Sequence, residues 1–471
     1  MTIQQKTFAI NSTKNRVKLK IYLKNIIIGA IFACAAGYLV QMLQSECCAA
    51  TYYVTTNGSS ISPYTNWYMA GTSIIDVVNA AMTNAVTRVV CVSNGTYRLT
   101  NQVSVTNALT IRSVNGRDAT IVDGNYPAYT NRCFYLSSIG AVLDGFTITN
   151  GYVIGVDGTG AGAGVDARAG TIIRNCRIIG CVSSNISKVY NAGGAGVYLN
   201  GGIVTNCEVM GNISYSSYGG GIYMRTGIGL VINCIIAGNT LFNGFGLGEA
   251  YGGGIYAEGA SQIIVNCDIY GNTNIASNTG IGGGVGLRDG AIVRNSLVHH
   301  NIARYGGGVA ANYSYGTIQN CTIVSNSCSV MGGGIFVTTS GAKTTCVENV
   351  VSYFNTGSDS NISIYFGVGG AYTGACHIIN SCIAPTNTFP TNGIVNPYYA
   401  NNIEINPRFA GKDVNDWRLT SGSPCVNTGT NQSWMTGAVD LGGHSRIDRF
   451  SGRVDMGCYE YLPSGTMCSV P

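Results

Sequence analysis

The sequence predicts an all-β solenoid built as a parallel β-helix, and three observations carry that prediction. The first is a repeat. A phrase of glycine triplet, branched apolar residue, aromatic, then Asn-Cys and a second Asn recurs along the middle of the chain. Its clearest copies run from Tyr218 to Asn239 (YGGGIYMRTGIGLVINCIIAGN) and from Tyr251 to Asn272 (YGGGIYAEGASQIIVNCDIYGN). Looser copies are anchored at Asn175, Asn206, Asn233, Asn266, Asn295, Asn320, Asn349 and Asn380, in steps of 25 to 33 residues, a period that marks a solenoid. The second is that no amphipathic stretch at 3.6-residue spacing lies between Thr171 and Asn355, which excludes helical repeats. The third is alternation of period two within each unit: Ile222, Met224 and Val231 face one way, Tyr223, Arg225 and Ile232 the other.

In chain order, residues 1–50 read as an export segment. Lys6, Lys14, Arg16, Lys18, Lys20 and Lys24 precede an apolar run from Ile26 to Val40, and Cys48-Ala49-Ala50 places small residues at a cut site. That layout is a secretory signal peptide. The other reading is a retained membrane anchor, with an apolar run short of the ~20 residues that span comfortably. Removing those six cations and Glu46 from totals of 26 basic and 21 acidic residues leaves 20 of each. A neutral mature chain has no electrostatic footprint for nucleic acid.

Residues 51–400 read as the β-helix. One inward column comprises Val165, Val197, Ile222, Ile255, Val285, Val309 and Ile335, and a second follows two residues later. Beyond the second strand of each unit, Cys176, Cys207, Cys234, Cys267, Ser296 and Cys321 point inward as a thiol ladder. The Asn before each is expected to bend the chain in a left-handed conformation and to bond the Asn of the next coil. Glycine triplets supply positive φ and close packing of successive backbones. With 10% charged residues and 66 glycines, the chain has the regular apolar patterning of a folded rod.

Fifteen cysteines follow the export segment. In-register parallel strands hold equivalent side chains at ~4.8 Å, wider than the ~3.8 Å between Cβ atoms of a disulfide, so the ladder is expected to be reduced and buried. Replacing Cys234 by Ser is then expected to cost ~1 to 3 kcal/mol for a buried hydroxyl lacking a good partner. No metal or cofactor is expected. There is no Cys-x-x-Cys pair, and His299, His300, His377 and His444 stand apart from the thiols except for His377 beside Cys376.

The outward columns suggest binding rather than catalysis. Tyr198, Tyr223, Tyr256 and Phe336 share one column, flanked by Arg168, Arg225 and Arg288. Aromatic faces stack on sugar rings and guanidinium groups hold carboxylates, so these seven are the candidate glycan-binding residues; ordinary cross-strand packing is the competing reading. No column stacks two acids on adjacent coils, so no catalytic residue is assigned. His299-His300 has the residue types of an acid/base pair, but such a pair is also common in a solvated turn.

The GGG-I/V-Y and NC-x-I-x-x-N phrases resemble the right-handed parallel β-helix, or pectin-lyase-like, superfamily, and particularly the repeats of polymorphic outer membrane proteins. The run from Asn402 (NIEINPRFAGKDVNDWRLTSGSPCVNTGTN), with DLGGHSRI at Asp440 and RVDMGCYEY at Arg453, is similar to the choice-of-anchor Q domain. The resemblance implies a right-handed parallel β-helix solenoid with a short carboxy-terminal β cap. Residues 401–462 are the choice-of-anchor-Q-like segment and 463–471 a tail. It also implies an exported bacterial protein, secreted or at the cell surface, and a monomer. Its partner is expected to be a polysaccharide or cell-surface glycan, with membrane contact only through an uncleaved amino-terminal segment. Three functions stand: a noncatalytic adhesin or glycan-binding module, a polysaccharide lyase or glycoside hydrolase with its site in the loops, and a structural envelope rod.

Overall fold

A computed structural model describes residues 50–83, 88–155, 160–185, 192–242, 250–276, 279–312, 315–338, 343–357, 361–365, 375–384 and 398–463. The export segment, the tail beyond residue 463 and most of the longer loops lie outside the described residues.

The chain winds as a right-handed parallel β-helix whose faces are four parallel sheets. One coil shows the order. Val165–Arg168 belongs to sheet I, Ile172–Arg174 to sheet II, Arg177–Ile179 to sheet III and Val182–Asn185 to sheet IV, before Val197–Asn200 returns to sheet I. Among the described residues sheet II is the longest, with 13 strands from Ala50–Val54 to Tyr398–Ala400; sheets III and I have 11 and 10. The register is the one the alternation predicts: Val197 pairs with Ile222, Ile222 with Ile255, and Ile255 with Val285. All seven residues of that first inward column are fully buried, and each such branched side chain contributes roughly 1.5–3 kcal/mol by leaving water.

Two amide ladders run along the middle of the solenoid. The outer one sits at the corner between sheets II and III, where Asn175, Asn206, Asn233, Asn266, Asn295 and Asn320 have φ between 47° and 54°, the left-handed bend expected of them. Its side chains donate toward earlier coils: Asn206 Nδ2 to Asn175 Oδ1 at 2.6 Å and Asn295 Nδ2 to Asn266 Oδ1 at 2.6 Å. The inner ladder is the second Asn of each repeat, fully buried at Asn212, Asn239, Asn272, Asn301 and Asn326. Here the main-chain N–H and Nδ2 of each residue donate toward the later coil, as Asn239 does to Asn272 Oδ1 at 3.0 and 2.9 Å. The corner carbonyls and amides that a tight bend would leave unpaired are thereby satisfied.

The thiol ladder is buried and unbridged at Cys176, Cys207, Cys234, Cys267 and Cys321. Burial pushes the Cys207 and Cys267 thiols up, and that of Cys321 up to about 12. Ser296 takes the place of a thiol, donating to Arg294 O at 2.8 Å and accepting from Cys267 N at 3.1 Å.

Both ends depart from the plain repeat. Helix α1 (Ile74–Met82) buries Ile74, Val77, Val78 and Ala81 against the amino-terminal coils, with Ser73 Oγ accepting from Asp76 N. It covers the apolar interior at the first described coil. At the other end, the segment after Ala400 folds back along the flank of sheet III as well as following the last coil. Trp417 and Cys458 pack on Leu297 and Val324, while Leu419, Cys425 and Met456 pack on Val351 and Cys382. Arg446, fully buried, pairs with Glu460 at 3.0 Å and donates to Asn295 Oδ1 at 3.2 Å, which ties this segment to the outer ladder.

Candidate functional site: the sheet I rim

The alternation correctly places Tyr198, Tyr223, Tyr256 and Phe336 on the outer side of sheet I, but the structure does not leave them open to solvent. All four are buried. They form a second apolar cluster with Tyr218, Tyr251 and Ile281, the residues that precede the glycine triplets. Each triplet arches back, with Gly219 at φ 54° and Gly252 at φ 74°, and lays its leading aromatic over the outward column. Tyr218 stacks on Tyr256 at 4.9 Å between centroids and Tyr251 on Tyr256 at 5.2 Å. The arches are in close contact, since a Cβ on Gly220 would lie 2.2 Å from Gly253 O. The expectation of an aromatic ladder offering its ring faces to sugars is therefore corrected: the rings pack on each other. The sign of this in the sequence is the apolar residue before each triplet, at Tyr218, Tyr251, Ile281, Tyr305 and Met331.

What the buried tyrosines do expose is their influence on the adjacent rim. The residues ending the sheet I strands stack as Arg168, Asn200, Arg225, Glu258 and Arg288 on successive coils, so the arginines recur on alternate coils, about 10 Å apart. Arg225 Nη1 donates to Tyr198 Oη at 3.2 Å, and Tyr223 Oη donates to Glu258 Oε2 at 3.0 Å. Burial, and then the Glu258 carboxylate, push the Tyr223 phenol far up, so it remains a donor. Arg168 forks onto the buried Asp166 and lies 5.0 Å over the Tyr198 ring. Arg288 reaches Asp289 at 3.6 Å. Among the described residues Arg225 makes no ion pair. It borders a shallow groove of about 390 Å³ with Thr226, Glu258, Ser261, Gln262 and Asp289, whose floor is set by Gln262 Nε2 donating to Arg225 O and Gly227 O.

Chemically the groove offers the Arg225 guanidinium, hydroxyls and amides, and two carboxylates that are both engaged: Glu258 by the Tyr223 phenol, and Asp289 by Arg288 at 3.6 Å and Lys343 at 3.3 Å. Neither is free for the acid and base roles that hydrolysis of a glycoside needs. The described residues contain no group of three or more His, Cys, Asp or Glu arranged to hold a metal ion. A larger cleft, about 510 Å³, lies at the amino-terminal end beside Ser73, Thr96, Arg98 and Asn101 and includes none of the candidate residues. The rings that do reach solvent were not singled out by the sequence pattern. Tyr126 stacks on Tyr152 at 4.0 Å and Tyr215 on Phe242 at 5.2 Å along sheet IV.

Residues 182–351 match the family described as right handed beta helix region. Among solved structures, the chain is similar to the pectate lyase Pel9A, with a TM-score of 0.51 and 15% identity over 89% of this chain and 98% of that one. It also aligns with a rhamnogalacturonan lyase (TM-score 0.40, 17% identity, 71% of this chain and 87% of that one). Pectin methylesterase PemA from Erwinia chrysanthemi gives a TM-score of 0.31 and 11% identity over 53% of this chain and 79% of that one. The first likeness establishes the fold alone, and the other two carry no argument. No curated protein matches the sequence.

Proposed function

We propose that this chain is an exported β-helix protein that binds a glycan carrying acidic groups along the sheet I rim, in a secreted or surface-attached setting. The observation that carries the reading is Arg225: a guanidinium held in place by a buried tyrosine hydroxyl and, among the described residues, without an ion pair, while the two carboxylates of its groove, Glu258 and Asp289, are engaged by other residues. Bidentate recognition of a carboxylate is what an arginine so fixed does best. Arginines on alternate coils suit an extended chain that turns the same face to the rim at every second sugar. Export rests on the amino-terminal pattern, and surface attachment on the resemblance of residues 401–462 to the choice-of-anchor Q domain and of the repeats to polymorphic outer membrane proteins. A lyase or hydrolase at this rim is the less favoured reading, because both acids of the groove are engaged, Glu258 by Tyr223 and Asp289 by Arg288 and Lys343.

The test is binding of the chain from Thr51 onward to a panel of acidic and neutral polysaccharides. Arg225→Gln is expected to weaken binding to acidic glycans about tenfold or more, in line with the 1.5–3 kcal/mol of a charge-assisted bond, with an unchanged melting temperature. Equal affinity for Arg225→Gln and the parent would overturn the assignment.

A further inference from the structure

A second constellation lies on a different edge of the solenoid, at the corner between sheets III and IV. His299 Nε2 is 3.1 Å from Asp268 Oδ1, and His299 Nδ1 is 2.7 Å from His300 Nδ1. Tyr270 stacks on the His299 ring at 4.9 Å. The proton positions follow from the partners. A carboxylate only accepts, so His299 Nε2 carries a proton; the Nδ1 of a neutral His299 is then an acceptor, and His300 Nδ1 must donate to it. The Nε2 of His300 is left with a lone pair. His299 is buried and His300 exposed, so the relay ends at solvent.

The setting of His300 is also unusual. Register stacks Ile179, Met210, Ala237, Tyr270 and His299 in one column, which makes Gly180, Gly211, Gly238, Gly271 and His300 successive corner residues. All five have φ between 53° and 66°, a conformation that glycine adopts freely and a larger side chain resists. The four glycines are exposed, and a Cβ on Gly211 would meet nothing within 4 Å. They form a strip free of side chains, about 19 Å long at the spacing of strands, ending at His300. The next corner residue is Ser325, and one coil further the corner fills: Phe354 packs on Phe409, with the Lys412 ammonium 4.5 Å over its ring.

The geometry points to a general-base site at His300 that hydrolyses an acyl ester carried on an extended, uncharged glycan lying along the glycine strip. His300 Nε2 takes a proton from water as the water oxygen bonds to the ester carbonyl carbon. The tetrahedral adduct collapses with cleavage of the acyl C–O bond, and the departing sugar oxygen takes the proton back from His300. Acid and free hydroxyl leave, and no co-reactant is consumed. Glycoside hydrolysis would need a free pair of carboxyl groups, whereas Asp268 is committed to His299. An acidic glycan is disfavoured by the charges around: besides Asp268, the carboxy-terminal segment brings Tyr459 with Asp440 and Asp416 near it, and Arg418 is paired with Asp416 at 2.6 Å. Burial, and then the His299 ring, hold the His300 imidazole below its ordinary range, so it is neutral and basic at neutral pH.

The experiment measures acetate release from an O-acetylated neutral xylan and from p-nitrophenyl acetate. The parent should release acetate from both, with a rate that rises with pH and levels off below neutrality. His300→Gly restores the residue of the four preceding corners and so keeps the fold; it should lose about a hundredfold. Asp268→Asn acts through His299 as a positioning change. Because an asparagine amide can flip and present either its oxygen or its NH2 to His299 Nε2, the tautomers are no longer fixed, so the rate falls and the imidazole nitrogen chemical shifts of His300 move toward one another. Gly211→Asn, tolerated at positive φ, should raise KM for the polymer and leave the small ester unaffected. No release by the parent above the uncatalysed rate, or full activity in His300→Gly, overturns the proposal.

Discussion

Replacing Asn239 by Leu tests the inner amide ladder directly. The Asn239 side chain accepts from Asn212 N at 3.0 Å and Asn212 Nδ2 at 2.9 Å, and its own Nδ2 donates to Val209 O at 2.9 Å. Leucine has nearly the same length, so it leaves no room for a rescuing water and orphans two buried donors, the Asn212 N–H and one Asn212 amide hydrogen; the Val209 carbonyl loses one of two donors and keeps its ladder bond. At roughly 1–3 kcal/mol for each unsatisfied buried group, the substitution should destabilise by at least about 2 kcal/mol. The assay is urea unfolding followed by tryptophan fluorescence and by circular dichroism. Asn206→Leu on the outer ladder is the companion, since it removes only the partly exposed bond to Asn175 and the left-handed preference. A loss below about 1 kcal/mol for Asn239→Leu, or equal losses at the two sites, would refute the view that the inner ladder carries the corner.

Two further outcomes are expected. Cys234→Ser should cost less than about 1 kcal/mol, because Ser296 and Ser381 already occupy this column and donate to the carbonyl two residues back, at 2.8 and 3.0 Å; a loss of several kcal/mol in thermal or urea unfolding would contradict this, and the larger cost expected from sequence came from assuming no partner for the hydroxyl. Burial lifts the Glu460 carboxyl up to about 8 despite the opposing Arg446 charge, so the fold holds a proton there that the unfolded chain has lost. Stability from this group is full below the ordinary carboxyl range and falls as pH rises toward 8. Urea midpoints at three pH values should show the decline in the parent and a flatter profile in Glu460→Gln; stability that rises over this window would exclude it.

The coil itself was legible because it repeats. Period-two alternation assigns Ile222, Ile255 and Val285 to one side, and a recurring Asn at a bend has few physical uses other than positive φ and amide pairing. The same alternation was silent on Tyr223 and Tyr256. It tells inside from outside of a strand, whereas burial of the outside depends on an arch that folds a residue five positions earlier over the ring. Helix α1 is a single nine-residue element, too short for its periodicity to stand out among strands, although Ser73 and Asp76 mark its start. The docking of Trp417 and Arg446 on sheet III is set by contacts between residues 93 to 151 positions apart, for which a single sequence carries no pattern. His299 and His300 were visible as a pair, but their tie to Asp268 needs the register that places one coil's aspartate beside the next coil's histidine.

The opposite sense of the two amide ladders has an electrostatic consequence. A row of aligned amides adds its dipoles head to tail, and a row polarises itself further as it lengthens. In this protein the inner row links each Asn amide forward along the axis to the next, its second hydrogen going back to a main-chain carbonyl, and the outer row links its amides backward. Where both rows are formed their fields oppose one another, so such a coil adds less axial dipole than either row would alone, and lengthening the rod by such turns builds up less charge at its tips.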